Sequence, residues 1–180
     1  MKQKNIVLIG MPGCGKSTVG VVLAKAMGYR FMDADLVIQE QEDRLLSEII
    51  REEGLDAFLK IENRINASLN PKKTVIATGG SAIYGKEAMT HYRQIGIVVY
   101  IHLPYEEIEK RLGDLTKRGV AIHKGQTLKD LYEERLPMYQ QQADITIETK
   151  DLTIADTVYT MKDSILRWMQ ENDADGTKRI

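Results

Sequence analysis

Asn5-Ile6-Val7-Leu8-Ile9-Gly10-Met11-Pro12-Gly13-Cys14-Gly15-Lys16-Ser17-Thr18 is the stretch whose reading decides the fold of this chain. Its opening residues form a continuous apolar run with β-branched members, the composition of a strand buried on both faces. The remainder fits the spacing G-x-x-x-x-G-K-[ST], with Gly10 first and Gly15-Lys16-Ser17 last. Glycines allow the backbone to turn so that successive N–H groups point inward, toward phosphate oxygens. A helix beginning near Lys16 would bring the positive end of its dipole to the same place. In such a loop Lys16 reaches the β- and γ-phosphates and the Ser17 hydroxyl ligates Mg²⁺, so ATP with Mg²⁺ is the expected ligand. Gly10, Gly13, Cys14, Gly15 and Thr18 complete the expected cradle. Cys14 occupies a variable loop position where a small residue is tolerated; a reactive thiol at a helix N-terminus is the alternative.

Working outward, short β-branched runs alternate with longer amphipathic stretches. Strands are expected at Asn5–Ile9, Arg30–Met32, Thr74–Thr78, Ile97–His102 and Ile145–Ile147. Helices are expected at Lys16–Met27, Arg44–Glu53, Leu55–Leu69, Lys86–Ile95, from Pro104 toward Leu112, Leu128–Gln141 and Ile154–Met169. Pro137 should kink or break the second-last helix, since proline lacks the N–H that a helix interior uses. Five strands alternating with helices predict an α/β fold: a five-stranded parallel sheet sandwiched by helices, of the P-loop NTPase type. Such sheets bind ligands at the carboxyl ends of their strands.

The bulk properties narrow the class. A length of 180 residues fits one domain, read here as spanning the whole chain, 1–180. A formal net charge of −1 offers no bulk attraction to nucleic acid or to an anionic membrane, so the expected partner is a small-molecule acceptor; a monomer is expected as well. The single cysteine excludes an intramolecular disulfide, and no apolar run reaches membrane-spanning length, so a cytoplasmic location is expected. The polar stretch Asn172–Ile180 is expected to fray. His91 and His102 have no carboxylate or cysteine at ligand spacing and read as a surface and a strand-end histidine.

Beyond the loop, Phe31-Met32-Asp33-Ala34-Asp35, Glu53-Gly54 with Phe58 and Glu62, Thr78-Gly79-Gly80-Ser81, Arg118, and Arg135-Leu136-Pro137-Met138-Tyr139 followed by Ala143-Asp144 resemble, in order and spacing, the motifs of the shikimate kinases. That family is a branch of the nucleoside-monophosphate-kinase-like P-loop proteins. The resemblance covers about Asn5 to Thr157 and implies a kinase that phosphorylates shikimate to shikimate 3-phosphate, a step of aromatic amino acid biosynthesis. It further implies that Asp33 holds Mg²⁺ through water and that Asp35 contacts the acceptor hydroxyl, which it would orient or deprotonate. The alternative for Asp35 is a cap on the helix that follows. Gly79 and Gly80 would let the acceptor lie against backbone N–H groups. Arg118 would bridge the transferring phosphate from a lid at about 112–126, which also carries Lys117 and is preceded by Arg111. Arg135 would grip the acceptor carboxylate; the alternative is an exposed helix charge paired with Glu134 or Asp130. The acceptor-binding helices fall at about 34–69.

Two positions depart from the family pattern. Leu59 stands where the family has an arginine for the acceptor carboxylate, and the adjacent Lys60 is turned away by about 100° on a helix. Ser81 replaces the third glycine of the triplet. The ATP half is intact while the acceptor half is altered, which leaves two other readings open: a kinase for a different small polyol or hydroxy acid, or a catalytically silent nucleotide-binding module.

Overall fold

The computed structural model describes residues 4–112 and 121–174, with the backbone alone at 173 and 174. Five strands form one sheet: β1 (Asn5–Ile9), β2 (Arg30–Asp33), β3 (Thr74–Ala77), β4 (Gly96–His102) and β5 (Ile145–Glu148). Their order is β2-β3-β1-β4-β5, and every pairing is parallel. Every residue of β1 and β3 is buried, and in β4 only His102 is not, which is why these runs are continuous rather than alternating. The helices on the two faces are α1 (Lys16–Met27), α2 (Ala34–Glu42), α3 (Leu46–Glu53), α4 (Leu55–Ser68), α5 (Lys86–Ile95), α6 (Tyr105–Leu112), α7 (Leu128–Gln142) and α8 (Ile154–Ala174).

The base of the sheet is tied by one buried amide. Asn5 Nδ2 donates to the carbonyls of Pro71 (2.9 Å) and Ile95 (3.2 Å), and Asn5 Oδ1 accepts from the Thr74 N–H (3.0 Å). At the other end, β1 leads toward β2 on one side and β3 leads toward β4 on the other. This is the switch point at which such sheets open a ligand crevice.

Two apolar clusters form the core. The larger surrounds the sheet, while a smaller one gathers Ile38, Ile49, Phe58 and Ile65 from α2, α3 and α4 with Ala121. Three sequence expectations need correction. A separate helix, α2, begins directly after β2, capped by Asp33 rather than Asp35: the Asp33 carboxylate accepts from the Asp35 N–H at 3.0 Å. α7 runs through Pro137 to Gln142 without a break. The loss of one backbone bond is outweighed because Arg135 and Tyr139, on either side, are both buried. Finally α8 continues past Asn172 to Ala174.

Candidate active site

The turn after β1 has the conformation its glycines allow. At Gly10 (φ +148) a side chain would press 2.7 Å from the Ile101 carbonyl oxygen, so no other residue fits beside β4. Gly15, also left-handed (φ 98), hands the chain to α1. Lys16 is buried and folded back into the loop, its Nζ donating to the carbonyls of Gly10 (2.8 Å) and Met11 (3.0 Å), with Cys14 Sγ at 3.8 Å. Cys14 itself is buried. The Ser17 hydroxyl donates to Asp33 Oδ2 at 2.7 Å, so the end of β2 and the start of α1 present a hydroxyl and a carboxylate side by side.

Next to this loop lies a cleft of about 390 Å³ whose walls include Lys16, Ser17, Asp35, Phe58, Gly79 and Arg135. The strands explain the convergence: β1, β2 and β3 all end there, so the loop, the Asp33–Asp35 pair and the Gly79–Ser81 step share one rim. Asp35 is half-buried, but its Oδ1 is fully enclosed and has no partner. Burial, with the Asp33 charge adding to it and Lys16 opposing, pushes the Asp35 carboxyl up to about 6. Arg135 is not a surface charge paired with Glu134 or Asp130. It is 1% exposed, with Nε donating to Tyr84 Oη (3.1 Å) and Nη2 to the Ala121 carbonyl (2.6 Å), while Nη1 faces Gly80 unpartnered. Tyr139, one turn later, donates its hydroxyl to the Gly80 carbonyl at 2.6 Å. Leu59 packs in the smaller apolar cluster, and Lys60 faces solvent.

Among the residues expected at the site, Gly10, Gly13, Cys14, Gly15, Lys16, Ser17, Thr18, Asp35, Gly79, Gly80 and Arg135 lie on this cleft or the loop that borders it, and Asp33 joins them through its bond to Ser17. Arg118 and Lys117 lie outside the described residues, as does most of the expected lid. Two further features escaped the sequence reading. One is the burial of Glu62 on α4, a residue named there only as part of a motif: it is 1% exposed, with its carboxyl pushed up to about 8 by burial and the Asp35 charge, against the Ser81 hydroxyl bonded to it and the Arg135 and Lys16 charges. The signal was present: Glu62 follows Phe58 by four residues and precedes Ile65 by three, on the apolar face of α4. The other is a second cavity, about 230 Å³, on the far side of the loop, walled by Val19, Arg111, Thr149, Leu152, Ile154 and Thr157. Arg111 also reaches the Gly13 carbonyl at 3.5 Å. His102 ends β4, as expected, and it also has partners that the spacing did not reveal: Nδ1 is hydrogen-bonded to the Glu148 carboxylate and Nε2 to Tyr132 Oη (3.0 Å). Among the described residues no group of three or more metal-ligating side chains occurs, and no helix is long and apolar enough to cross a membrane.

A parallel sheet with a phosphate-binding loop after β1 and a polar acceptor cleft beside it defines a P-loop enzyme of the small-molecule kinase class, which transfers phosphate from ATP to a hydroxyl. The comparisons place it more closely. The shikimate kinase family model matches residues 12–166, and the chain belongs to the shikimate kinase family. It is 36% identical over 149 residues to the shikimate kinase of Persephonella marina, covering 82% of this chain and 90% of that protein. The shikimate kinase of Haemophilus influenzae is 37% identical over 154 residues, covering 83% and 86%. Among solved structures, shikimate kinase from Acinetobacter baumannii in complex with shikimate superposes with a TM-score of 0.78 at 32% identity, covering 94% of each chain. Deoxyadenosine kinase from M. mycoides, at 13% identity and a TM-score of 0.62, shares the fold alone.

Proposed function

We propose that this chain transfers the γ-phosphoryl group of ATP to a hydroxyl of shikimate, giving shikimate 3-phosphate. The observation that carries the reading is the convergence, in one cleft, of Lys16, Asp35 and Arg135 at the ends of β1, β2 and β3 and on α7. The A. baumannii enzyme, similar over nearly the whole chain, is a complex with shikimate. Each residue then has a task. Lys16 leaves its two carbonyls for the β- and γ-phosphates, cradled by the N–H groups of the loop. Ser17 and Asp33 supply hard oxygen donors that fit Mg²⁺, which when bound neutralises charge on the phosphates. Asp35 orients the acceptor hydroxyl and takes its proton as the new P–O bond forms. Arg135, through its free Nη1, grips the acceptor carboxylate, and Gly79 and Gly80 let the acceptor lie against the backbone. The cavity at Arg111 and Thr149–Thr157 suits the adenine base. Arg118 is assigned to the transferring phosphate on sequence alone. The net charge of −1 supports a small-molecule acceptor rather than a nucleic-acid or anionic-membrane partner; a monomer in the cytoplasm completes the proposal.

Leu59 and the apolar cluster around it favour a second reading, a kinase for a hydroxylated metabolite with less negative charge. A coupled assay of ADP release separates the two. Release that depends on shikimate supports the first. Release with quinate, homoserine or gluconate but not shikimate replaces it with the second, and release with none of these refutes both.

A further inference from the structure

At and behind the acceptor half of the cleft, Glu62 Oε1, Asp35 Oδ1 and Arg135 Nη1 are buried without partners, as is the Tyr92 hydroxyl on α5. Two of them meet. A methyl group built on Gly79 would lie 2.5 Å from Glu62 Oε1 and 2.7 Å from Asp35 Oδ1, so both carboxyl oxygens press on the bare face of one glycine. Two ionised carboxylates held there would repel, and each oxygen would lack a donor. One proton removes both penalties. On Glu62 it converts Oε1 into a donor beside the acceptor-only Oδ1.

Glu62 is the deeper of the two, 1% exposed, whereas Asp35 is half-buried at the rim. The titratable and charged groups facing Glu62 are Asp35 from α2, Lys16 from α1, Arg135 from α7 and Tyr92 from α5, with the Ser81 hydroxyl on its carboxyl. Neither cation is hydrogen-bonded to it: Lys16 holds two loop carbonyls, and Arg135 holds Tyr84 and Ala121. Burial prevails, and the carboxyl is pushed up to about 8. One turn earlier on α4, where the family pattern has arginine, stands Leu59; where it has a third glycine, the Ser81 hydroxyl reaches Glu62.

We propose that Glu62 is a positioning residue that works as a neutral acid, its proton directed at Asp35 across Gly79, holding Asp35 against the acceptor hydroxyl without an arginine at position 59. The inference rests on the kinase reading, in which Asp35 faces that hydroxyl, but it applies equally to shikimate or another hydroxylated acceptor. The Glu62 proton stays in place through turnover; the proton released by the acceptor goes to Asp35.

The test begins with ¹³C-carboxyl NMR of the full chain without acceptor, the Glu62 signal being assigned by its loss in Glu62→Gln. A midpoint near 8 is expected; a midpoint in the ordinary glutamate range, about 4.3, overturns the proposal. With whichever acceptor releases ADP, Glu62→Ala should lower kcat by roughly 30-fold, and Glu62→Gln, isosteric with the neutral acid, should restore it to within about threefold near pH 7. The wild type should show a decline in kcat above about 8, and the Gln variant should lose it. Glutamine as damaging as alanine would mean that the negative charge is what the site needs, and would overturn the proposal. The titration is independent of the acceptor, so failure of turnover with shikimate refutes the substrate reading alone.

Discussion

Leu59→Arg puts back on α4 the guanidinium that the family pattern places there. Leu59 is half-buried against the cluster of Ile38, Ile49 and Phe58, so removing it costs about 1 kcal/mol of apolar burial. Against this stands a new cation at the acceptor end, one turn before a buried carboxyl that has no bonded cation. Truncating one partner of a desolvated charge pair typically costs about 2–5 kcal/mol. Restoring the partner, less the packing loss, should yield roughly 1–4 kcal/mol, or about 5- to 700-fold in affinity for shikimate. The KM for shikimate, measured by coupled ADP release at saturating ATP, should fall accordingly, while the KM for ATP stays unchanged because the phosphate loop is separate. The new charge should also draw the Glu62 carboxyl back toward its ordinary range. A folded Leu59→Arg variant whose KM for shikimate stays within about twofold of wild type would refute the reasoning, since residue 59 would then not face the acceptor carboxylate.

Lys16→Ala should abolish ADP release while circular dichroism and the melting temperature show an intact fold, because its bonds are confined to the loop. The pH profile of kcat/KM should fall on the acid side through about 6, where Asp35 gains a proton; the sign follows because the ionised carboxylate is the working form, and an acid limb near 4 would contradict it. Gly79→Ala places a methyl group 2.5 Å from Glu62 Oε1 and 2.7 Å from Asp35 Oδ1, so one carboxyl must move. A displacement of about 1 Å at a reacting group costs on the order of 100-fold in kcat, with ATP affinity by calorimetry unaltered.

The sheet was legible because its strands are short β-branched runs and its main helices long and periodic, signals set by burial on two faces or on one. α2 was not read as an element of its own. It has nine residues, ends in Gln39-Glu40-Gln41-Glu42, and starts inside an Asp-x-Asp motif that looks like the end of a strand. Its cap is a local hydrogen bond that composition does not encode. Of the two outcomes expected at Pro137, the break does not occur: the local rule is sound, but burial of Arg135 and Tyr139 overrides it. At the site, spacing identified the phosphate loop, where function depends on backbone conformation and a few fixed residue types. The burial of Glu62 was readable from its place between Phe58 and Ile65 on the apolar face of α4 but was not read, whereas the partners of Arg135 come from segments far away in sequence and left no local signal. The pocket at Thr149–Thr157 was invisible because its walls come from segments far apart in sequence and ordinary in composition.

The Asn5 amide gives the molecule a fixed end and a free one. With the starts of β1 and β3 and the approach to β4 gathered on a single side chain, the strands behave like the ribs of a fan held at the handle. Backbone amides near Thr74 should exchange with deuterium most slowly, and protection should thin toward Gly79, so whatever breathing the enzyme needs to admit and release its ligands is confined to the open rim.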